Sequence, residues 1–541
     1  MMKRTISVIL LLCVLLFCAA ISGFSATAAD GTADYGLPQN CKDGNILHCF
    51  DWTLSQIKQE LPNIAEAGFT SVQTSPLQAH NGSSKWYWLY QPNGFSVLGN
   101  ELGSYDDLKA LCTEADKYGI KIIVDVVANH VAGSNSGTWA SSVESSLRKT
   151  EYFHNLGPKT NDKDRFEVTH KNIGMPDLNS EHTDVQNMVY AMLERYKAAG
   201  VDGIRWDAAK HISLPSEDCA FWSKMAQIGL FQYGEILNDP AGSGSAANNA
   251  LMTEYAQYIG VTDSVYSTDL FNAVKSGTTL KSQGNWNKYG VAADRIVYWG
   301  ESHDTFANNA NEGGFTKDVD QNVVDKVYAV LGARADSQAL YFSRPPQKNK
   351  ESITYGTKGS THFPSKEIAA VNRFHNAMVG TDEKYIYNGG CYTVLRSRGA
   401  VLVSKSADLD VSVNNSGSLV PAGTYIDEVS GNTFTVTDSK ITGHIDKTGI
   451  AVIYSDEPVE DPTEPDVRLL GDADGSGDVD AIDVTTIMRV EAQIPVNIDA
   501  ETIMNGDVNN DTETDVIDAT LIQRYLNKIV TGYKIGEPIT G

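Results

Sequence analysis

Residues 119–130 read G-I-K-I-I-V-D-V-V-A-N-H, and residues 201–211 read V-D-G-I-R-W-D-A-A-K-H. Each is an apolar, β-branched run that turns polar at its C-terminal end. A strand that is apolar on both faces must be covered on both faces, as in a parallel sheet wrapped by helices. The pattern recurs outward from these two runs: N-I-L-H-C-F and F-T-S-V-Q-T before them, then L-F-Q-Y-G-E-I, R-I-V-Y-W-G and A-L-Y-F-S after them. Amphipathic segments such as 54–67, 105–118 and 184–199 lie between. Strand and helix alternating from residue 45 to 345 predict an α/β fold, a (β/α)8 TIM barrel. A doubly wound sheet would want a glycine-rich phosphate turn after an early strand, and none is present.

The 541 residues exceed one ordinary core, so several domains are expected. Residues 1–28 read as a signal peptide: Lys3 and Arg4, an apolar run from Ile6 to Ala20, then the small residues Ala26, Thr27 and Ala28. The protein is therefore expected to be secreted and extracellular. No later run of about 20 apolar residues predicts membrane insertion. The barrel is expected over residues 29–365, and the polar, irregular stretch 131–176 is too long for a βα loop and reads as an inserted subdomain. Short strands with turn residues over 366–455 predict an antiparallel β-sandwich. Residues 456–468 are acidic and proline-rich, the composition of an extended linker.

Two segments then repeat. Residues 471–483 read G-D-A-D-G-S-G-D-V-D-A-I-D, and residues 506–518 read G-D-V-N-N-D-T-E-T-D-V-I-D, each continuing into an amphipathic stretch. Oxygen donors at loop positions 1, 3, 5 and 12, with a backbone carbonyl at 7, suit a hard cation such as Ca²⁺. The candidate ligands are Asp472, Asp474, Ser476, Asp478 and Asp483, then Asp507, Asn509, Asp511, Glu513 and Asp518. Thr512 stands where the first loop has Gly477, so the second loop must turn without glycine's freedom. A small α-helical, two-calcium module is expected over 469–534.

The net charge is −25, and the 86 residues from Asp456 on hold 20 acidic against 5 basic side chains. Such a chain repels a phosphate backbone, which excludes a nucleic-acid partner. Of seven cysteines, Cys41, Cys49, Cys112, Cys219 and Cys391 lie outside the signal peptide, without the clustered spacing of a zinc site or disulfide framework. They read as mostly buried thiols, with a single bridge left open.

The C-terminal ends of barrel strands converge on one face. There the runs place Asp125, Asn129 and His130; Arg205, Asp207, Lys210 and His211; Glu235 in F-Q-Y-G-E-I-L; and His303 and Asp304 in I-V-Y-W-G-E-S-H-D. Any one carboxylate is more often a surface charge or ion-pair partner. Asp207, Glu235 and Asp304 at successive strand ends are not readily three such accidents. Asp125, earlier along its strand, reads as a brace for neighbouring strand ends. Arg205, two residues before Asp207, shares its face and would hold it ionised. W-Y-W-L-Y-Q, residues 86–91, concentrates aromatic faces of the kind that stack on sugar rings.

These segments, with V-A-N-H, E-S-H-D-T-F-A-N, F-S-R-P and A-V-N-R-F-H-N, resemble in joint order and spacing those of glycoside hydrolase family 13, in particular secreted bacterial α-amylases. The resemblance runs from about Gly44 to Tyr454. It implies endo-hydrolysis of α-1,4-glucosidic bonds in starch-like α-glucans, with Asp207 as nucleophile, Glu235 as general acid/base and Asp304 as transition-state stabiliser. It implies Tyr90 against the sugar beside the scissile bond, Tyr87 and Gln91 further along the cleft, Lys210 and His211 on the leaving-group side, and His130 and His303 donating to hydroxyls. It also implies one structural Ca²⁺ held by Asn129, Asp177 and the carbonyls of Thr169 and His211. The segment before His303 reads E-S-H, where many members carry asparagine. The repeated tail resembles a type I dockerin, which implies a cohesin partner on a scaffold protein. Alternatives on the same barrel are an α-glucan transglycosylase, a maltooligosaccharide hydrolase and a non-catalytic glucan-binding scaffold component.

Overall fold

The computed structural model describes residues 35–237, 245–280, 290–455, 468–496 and 498–539. The signal peptide, and the linker up to residue 467, lie outside the described residues. The chain divides into two compact units, Met1–Glu457 and Pro458–Gly541.

In the first unit eight parallel strands close into a barrel in sequence order: β1 (Ile46–Cys49), β2 (Ser71–Thr74), β3 (Lys121–Val127), β4 (Gly203–Asp207), β5 (Phe231–Gly234), β6 (Gly260–Thr262), β7 (Ile296–Trp299) and β8 (Gln338–Phe342). Seven of them fall on the apolar runs. The eighth, β6, has only three residues and no run of its own, so its pattern is too short to announce a strand. Its neighbours supply the ladder, pairing Tyr233 with Gly260 and Val261 with Ile296. The β3–β4 register sets Asp125 opposite Arg205 and Val127 opposite Asp207.

Helices wrap the outside. α1 (Leu54–Glu66) and α2 (Tyr105–Asp116) each start at a capping box, Thr53 with Gln56 and Ser104 with Asp107, which satisfies orphan first-turn amides. The helix Lys366–Ala377, expected with the sandwich, completes the barrel instead. Its fully buried Asn372 donates to the Ala67 carbonyl at 2.9 Å and accepts from Asn45 Nδ2 at 3.1 Å and Tyr328 Oη at 2.6 Å. The barrel layer therefore runs past residue 365 to Ala377.

Between β3 and the helix Thr183–Ala198 the chain makes an irregular excursion whose two ends run side by side. His130 bridges Asp177, Phe153 bridges Leu178, and the Leu178 amide donates to the Asn129 carbonyl at 2.9 Å. This is the inserted subdomain, and it carries the short helix Arg165–His170.

Beyond the barrel, two four-stranded antiparallel sheets form the sandwich. Glu383–Asn388, Cys391–Arg396, Gly399–Ser404 and Ile450–Tyr454 make the first; Leu409–Asn414, Gly423–Ile426, Thr433–Val436 and Lys440–Ile445 make the second. Cys391–Arg396 and Gly399–Ser404 are buried at every position, because one face meets the other sheet while Val394, Val401 and Val403 join the barrel core. Thr433–Val436, in the outer sheet, alternates between exposed and buried positions. Cys41, Cys49, Cys112, Cys219 and Cys391 are all buried and free.

The second unit packs the helices Ala481–Glu491 and Val516–Leu526 through Ile487, Ala519 and Ile522. Its closure extends beyond the expected end at 534: the Leu470 amide donates to the Glu537 carbonyl at 2.9 Å, and Ile539 to Arg468 at 2.7 Å. Among the described residues no helix is long and apolar enough to cross a membrane.

Candidate active site

Arg205, buried between β3 and β5, organises the C-terminal mouth of the barrel. Its Nη1 lies 2.9 Å from Asp125 Oδ1 and 3.1 Å from Asp207 Oδ1, and its Nη2 lies 2.9 Å from Glu235 Oε2. One planar cation thus fixes three carboxylates from three strands. The Ala208 amide adds a second donor to Glu235 Oε2 at 3.1 Å. It does so from a left-handed backbone with φ 50, a conformation unusual for alanine and stored where it aims a group.

The three candidate catalytic carboxylates come together, though not all at strand ends. Asp207 ends β4 and Glu235 comes directly after β5. Asp304 lies beyond β7, in the first turn of the helix His303–Ala307 capped by Ser302. Asp304 Oδ1 accepts from Asn308 Nδ2 at 2.9 Å, and Asp304 lines the same cleft as Glu235 and Asp207. Burial pushes Asp304 up, against Arg205. Asp207 is pushed well above the ordinary aspartate range, first by burial and then by the Glu235 charge, and Arg205 opposes without winning. Arg205 acts on Asp207 in the expected direction, favouring the carboxylate, against burial and the neighbouring acids. Asp125 is pushed up to about 6 by burial, again against Arg205, and its Oδ2 accepts from Tyr90 Oη at 3.0 Å. It braces, as its strand position suggested.

Above these acids opens a cleft of about 550 Å³. Tyr87, Tyr90, Gln91, His130, Lys210, His211 and His303 line it together with Asp207, Glu235 and Asp304. Arg205 lines a smaller adjoining cavity that shares Glu235, His303 and Asp304 with this cleft. Tyr90 stacks on His303 with ring centroids 5.1 Å apart and planes at 10°. Burial holds His130 down at about 4 and His303 at about 3, so both rings are neutral. His130 donates Nε2–H to the Tyr90 carbonyl at 3.0 Å, which leaves its Nδ1 as an acceptor. The expected donation from His130 to a hydroxyl is reversed.

Lys350 and Glu351 also line the cleft, and the sequence reading does not single them out. Tyr87 Oη donates to Glu351 Oε2 at 3.1 Å, and Lys350 sits over the Tyr87 ring. The available signal was their position in the loop after β8, on the face where barrel sites form. The unusual Glu301 of E-S-H has a structural use: buried, it takes Arg344 bidentately at 2.7 and 2.9 Å.

The proposed barrel calcium ligands meet where the insert returns. Asn129 Nδ2 lies 3.1 Å from Asp177 Oδ1, and His211 Nδ1 donates to the Val168 carbonyl at 2.7 Å, bringing the Thr169 and His211 segments together. Burial pushes Asp177 up to about 7, although His154 and Asn129 bond to it and pull it down. The donors expected there are all oxygens, the kind that suits Ca²⁺.

In the second unit each loop gathers three carboxylates, Asp472 with Asp474 and Asp483, and Asp507 with Asp511 and Asp518. The loops fold alike: the Ser476 and Gly477 amides donate to Asp472 at 3.0 and 2.9 Å, and the Asp511 and Thr512 amides to Asp507 at 3.1 and 2.9 Å. Thr512 takes φ 75 where Gly477 takes φ 89, so the second loop keeps the turn at a steric cost. Burial and the neighbouring aspartates push Asp483 up to about 6. Asp478 and Glu513 stand outside the carboxylate clusters, as suits a position that offers its backbone carbonyl.

A barrel that gathers acids over one arginine at its C-terminal mouth, beneath an aromatic-lined cleft, defines a glycoside-hydrolase type of site. Residues 24–227 match the family model described as "Alpha amylase, catalytic domain", so that part of the chain is similar to such a domain. It is 34% identical over 463 residues to an alpha-amylase of Clostridium acetobutylicum, covering 82% of this chain and 58% of that protein. It is 30% identical over 472 residues to an alpha-amylase of Butyrivibrio fibrisolvens, covering 76% of this chain and 47% of that one. The chain thus spans about half the length of the curated relatives it matches. Among solved structures, alpha-amylase I of Eisenia fetida aligns with TM-score 0.63 at 20% identity, over 78% of this chain and 99% of that one, a likeness of fold.

Proposed function

We propose that the protein is a secreted α-amylase that cleaves internal α-1,4-glucosidic bonds of starch-like glucans with retention of configuration. The observation that carries this reading is the Arg205 fork, which holds Asp207 and Glu235 side by side at 3.1 and 2.9 Å from its two ends. A retaining pair needs carboxyls about 5 to 5.5 Å apart. In the first step Glu235 gives its proton to the glycosidic oxygen while Asp207 Oδ attacks the anomeric carbon, forming a glycosyl ester as the leaving sugar departs. In the second, Glu235, now ionised, takes a proton from water, whose oxygen attacks the same carbon and releases Asp207. Asp304, beside Glu235, opposes the positive charge of the oxocarbenium-like transition state. Tyr90 offers its ring to the sugar, Lys210 and His211 flank the leaving group, and His130 and His303 meet the hydroxyls. Calcium at Asn129 and Asp177 would hold the insert against the barrel mouth.

The same proposal assigns the second unit as a calcium-dependent dockerin that tethers the enzyme to a cohesin. Exposed Ile482, Val516 and Ile517, at the starts of its two helices, supply apolar contact. The test of the enzyme is chemical. Asp207→Asn and Glu235→Gln should each cut kcat on soluble starch by at least about a thousandfold without loss of fold. Early NMR of the products should show the α-anomer. A β-anomer, or an active Glu235→Gln enzyme, would overturn the assignment.

A further inference from the structure

The inserted subdomain holds a second cluster, away from the catalytic acids. His154, His170 and Glu181 come from three segments: the stretch after the Phe153 bridge, the end of the helix Arg165–His170, and the turn before Thr183–Ala198. One ligand atom from each lies within 4.8 Å of the others. The two rings are 4.5 Å apart between centroids.

Both rings are oriented by outer oxygens. His154 Nδ1 is bonded to Asp177 Oδ2 at 2.6 Å, and its Nε2 faces Glu181 Oε2 at 2.8 Å. His170 Nδ1 is engaged by the Phe166 carbonyl at 3.2 Å and Thr169 Oγ1 at 2.7 Å, and its Nε2 faces Glu181 Oε1 at 3.8 Å. Each ring therefore ties Nδ1 to an outer oxygen and turns Nε2 toward one carboxylate. For His170 that is how a metal-binding histidine is held, the outer oxygens fixing Nδ1 and leaving Nε2 free, whereas His154 Nε2–H donates to Glu181 and would exchange that proton for the ion. Glu181 Oε1 is itself buried, and Ser213 joins His154 in holding this carboxylate. Two imidazoles and a carboxylate select a borderline divalent ion over calcium, and three protein ligands leave a fourth position for water. Ligands on tetrahedral zinc lie about 3.3 Å apart, within small side-chain movements of the observed spacing.

We propose that His154, His170 and Glu181 form a Zn²⁺ site in the inserted subdomain, with Asp177 and the Phe166 carbonyl as outer partners of the two rings. The ion would pin together three segments of an excursion that has little regular structure. Its loop through Ile173 and Met175 forms part of the cleft wall. The competing account is a metal-free one, in which protonated His154 simply bridges Asp177 and Glu181. Burial opposes that proton, but the two carboxylates win and raise His154 to about 9.

The experiment uses the full chain, stripped of metal, then saturated with Ca²⁺ so that the all-oxygen sites are filled. Zn²⁺ is titrated calorimetrically, and Co²⁺ is added separately as a visible probe. The expected result is one tightly bound Zn²⁺ per chain and a Co²⁺ spectrum of nitrogen-ligated, low-coordinate type. His170→Gln and Glu181→Gln should each weaken binding by about a hundredfold or more. His170 is only partly buried, so its variant should melt like the parent without metal, and the wild-type titration stands whatever the variants do. No stoichiometric Zn²⁺ uptake by the calcium-loaded wild type would overturn the proposal in favour of the metal-free bridge. Undiminished binding in a folded His170→Gln protein would overturn it as well.

Discussion

One guanidinium serves Asp125, Asp207 and Glu235, and Asp304 lines the cleft beside them. Buried Asp125 and Asp207 and half-buried Glu235 and Asp304 crowd one cation, and they cannot all ionise cheaply. This crowding sets the sign of the pH dependence. Asp207 attacks only as the carboxylate, and its folded value is raised, so activity should fall on acidification well above the ordinary aspartate value of about 3.9. Asp125 is one of the like charges that raise it. Asp125→Asn should therefore move the acid limb of kcat/KM to lower pH, and Arg205→Gln, which removes the opposing cation, should move it higher. Rate profiles from about pH 4 to about pH 8 on a short maltooligosaccharide would show this. An acid limb that stays put in both variants would separate Asp207 from the limb.

Among the elements, the closing helix Lys366–Ala377 bears most on whether the barrel holds its shape. Asn372 is fully buried and spends its amide on Ala67, Asn45 and Tyr328, so the first, last and intermediate parts of the barrel meet at one side chain. Asn372→Ala should leave those partners unsatisfied in a dry site and cost about 2 to 4 kcal/mol, read as a lower thermal midpoint. A midpoint within error of the parent would mean that the seam tolerates the loss. The catalytic cleft, on the opposite end of the strands, should keep its KM below the melting range.

The molecule as a whole is two compact units with different sources of stability. The first has an extensive apolar core; the second has a small one around Ile487, Val508 and Ile522, with two clusters of like charge beside it. Such a unit cannot easily offset carboxylate repulsion by burial alone. Residues 458–541 should therefore gain helical circular dichroism on adding Ca²⁺ and lose it to a chelator. A chain ending at Glu457 should keep nearly all activity on soluble starch. Helicity indifferent to calcium, or a truncated enzyme with most of its activity gone, would count against this division of labour.

Much of this was legible in the chain because the relevant signals are local. Continuous β-branched runs can bury only in a sheet covered on both sides, and seven of the eight barrel strands announce themselves so. The paired loops are read from ligand spacing, and Asp207, Glu235 and Asp304 from the polar residues that close their apolar runs. Other features depend on approach through space. Strand β6 is three residues long and exists because its neighbours offer a ladder. The placing of Lys366–Ala377 with the barrel depends on what Asn372 reaches 305 residues away. The proton of His130 sits on Nε2 because burial and the Tyr90 carbonyl decide it. The meeting of His154, His170 and Glu181 has no mark in their spacing. Periodicity and ligand spacing are properties of neighbours along the chain, whereas protonation, partner choice and closure depend on which distant groups share a dry space.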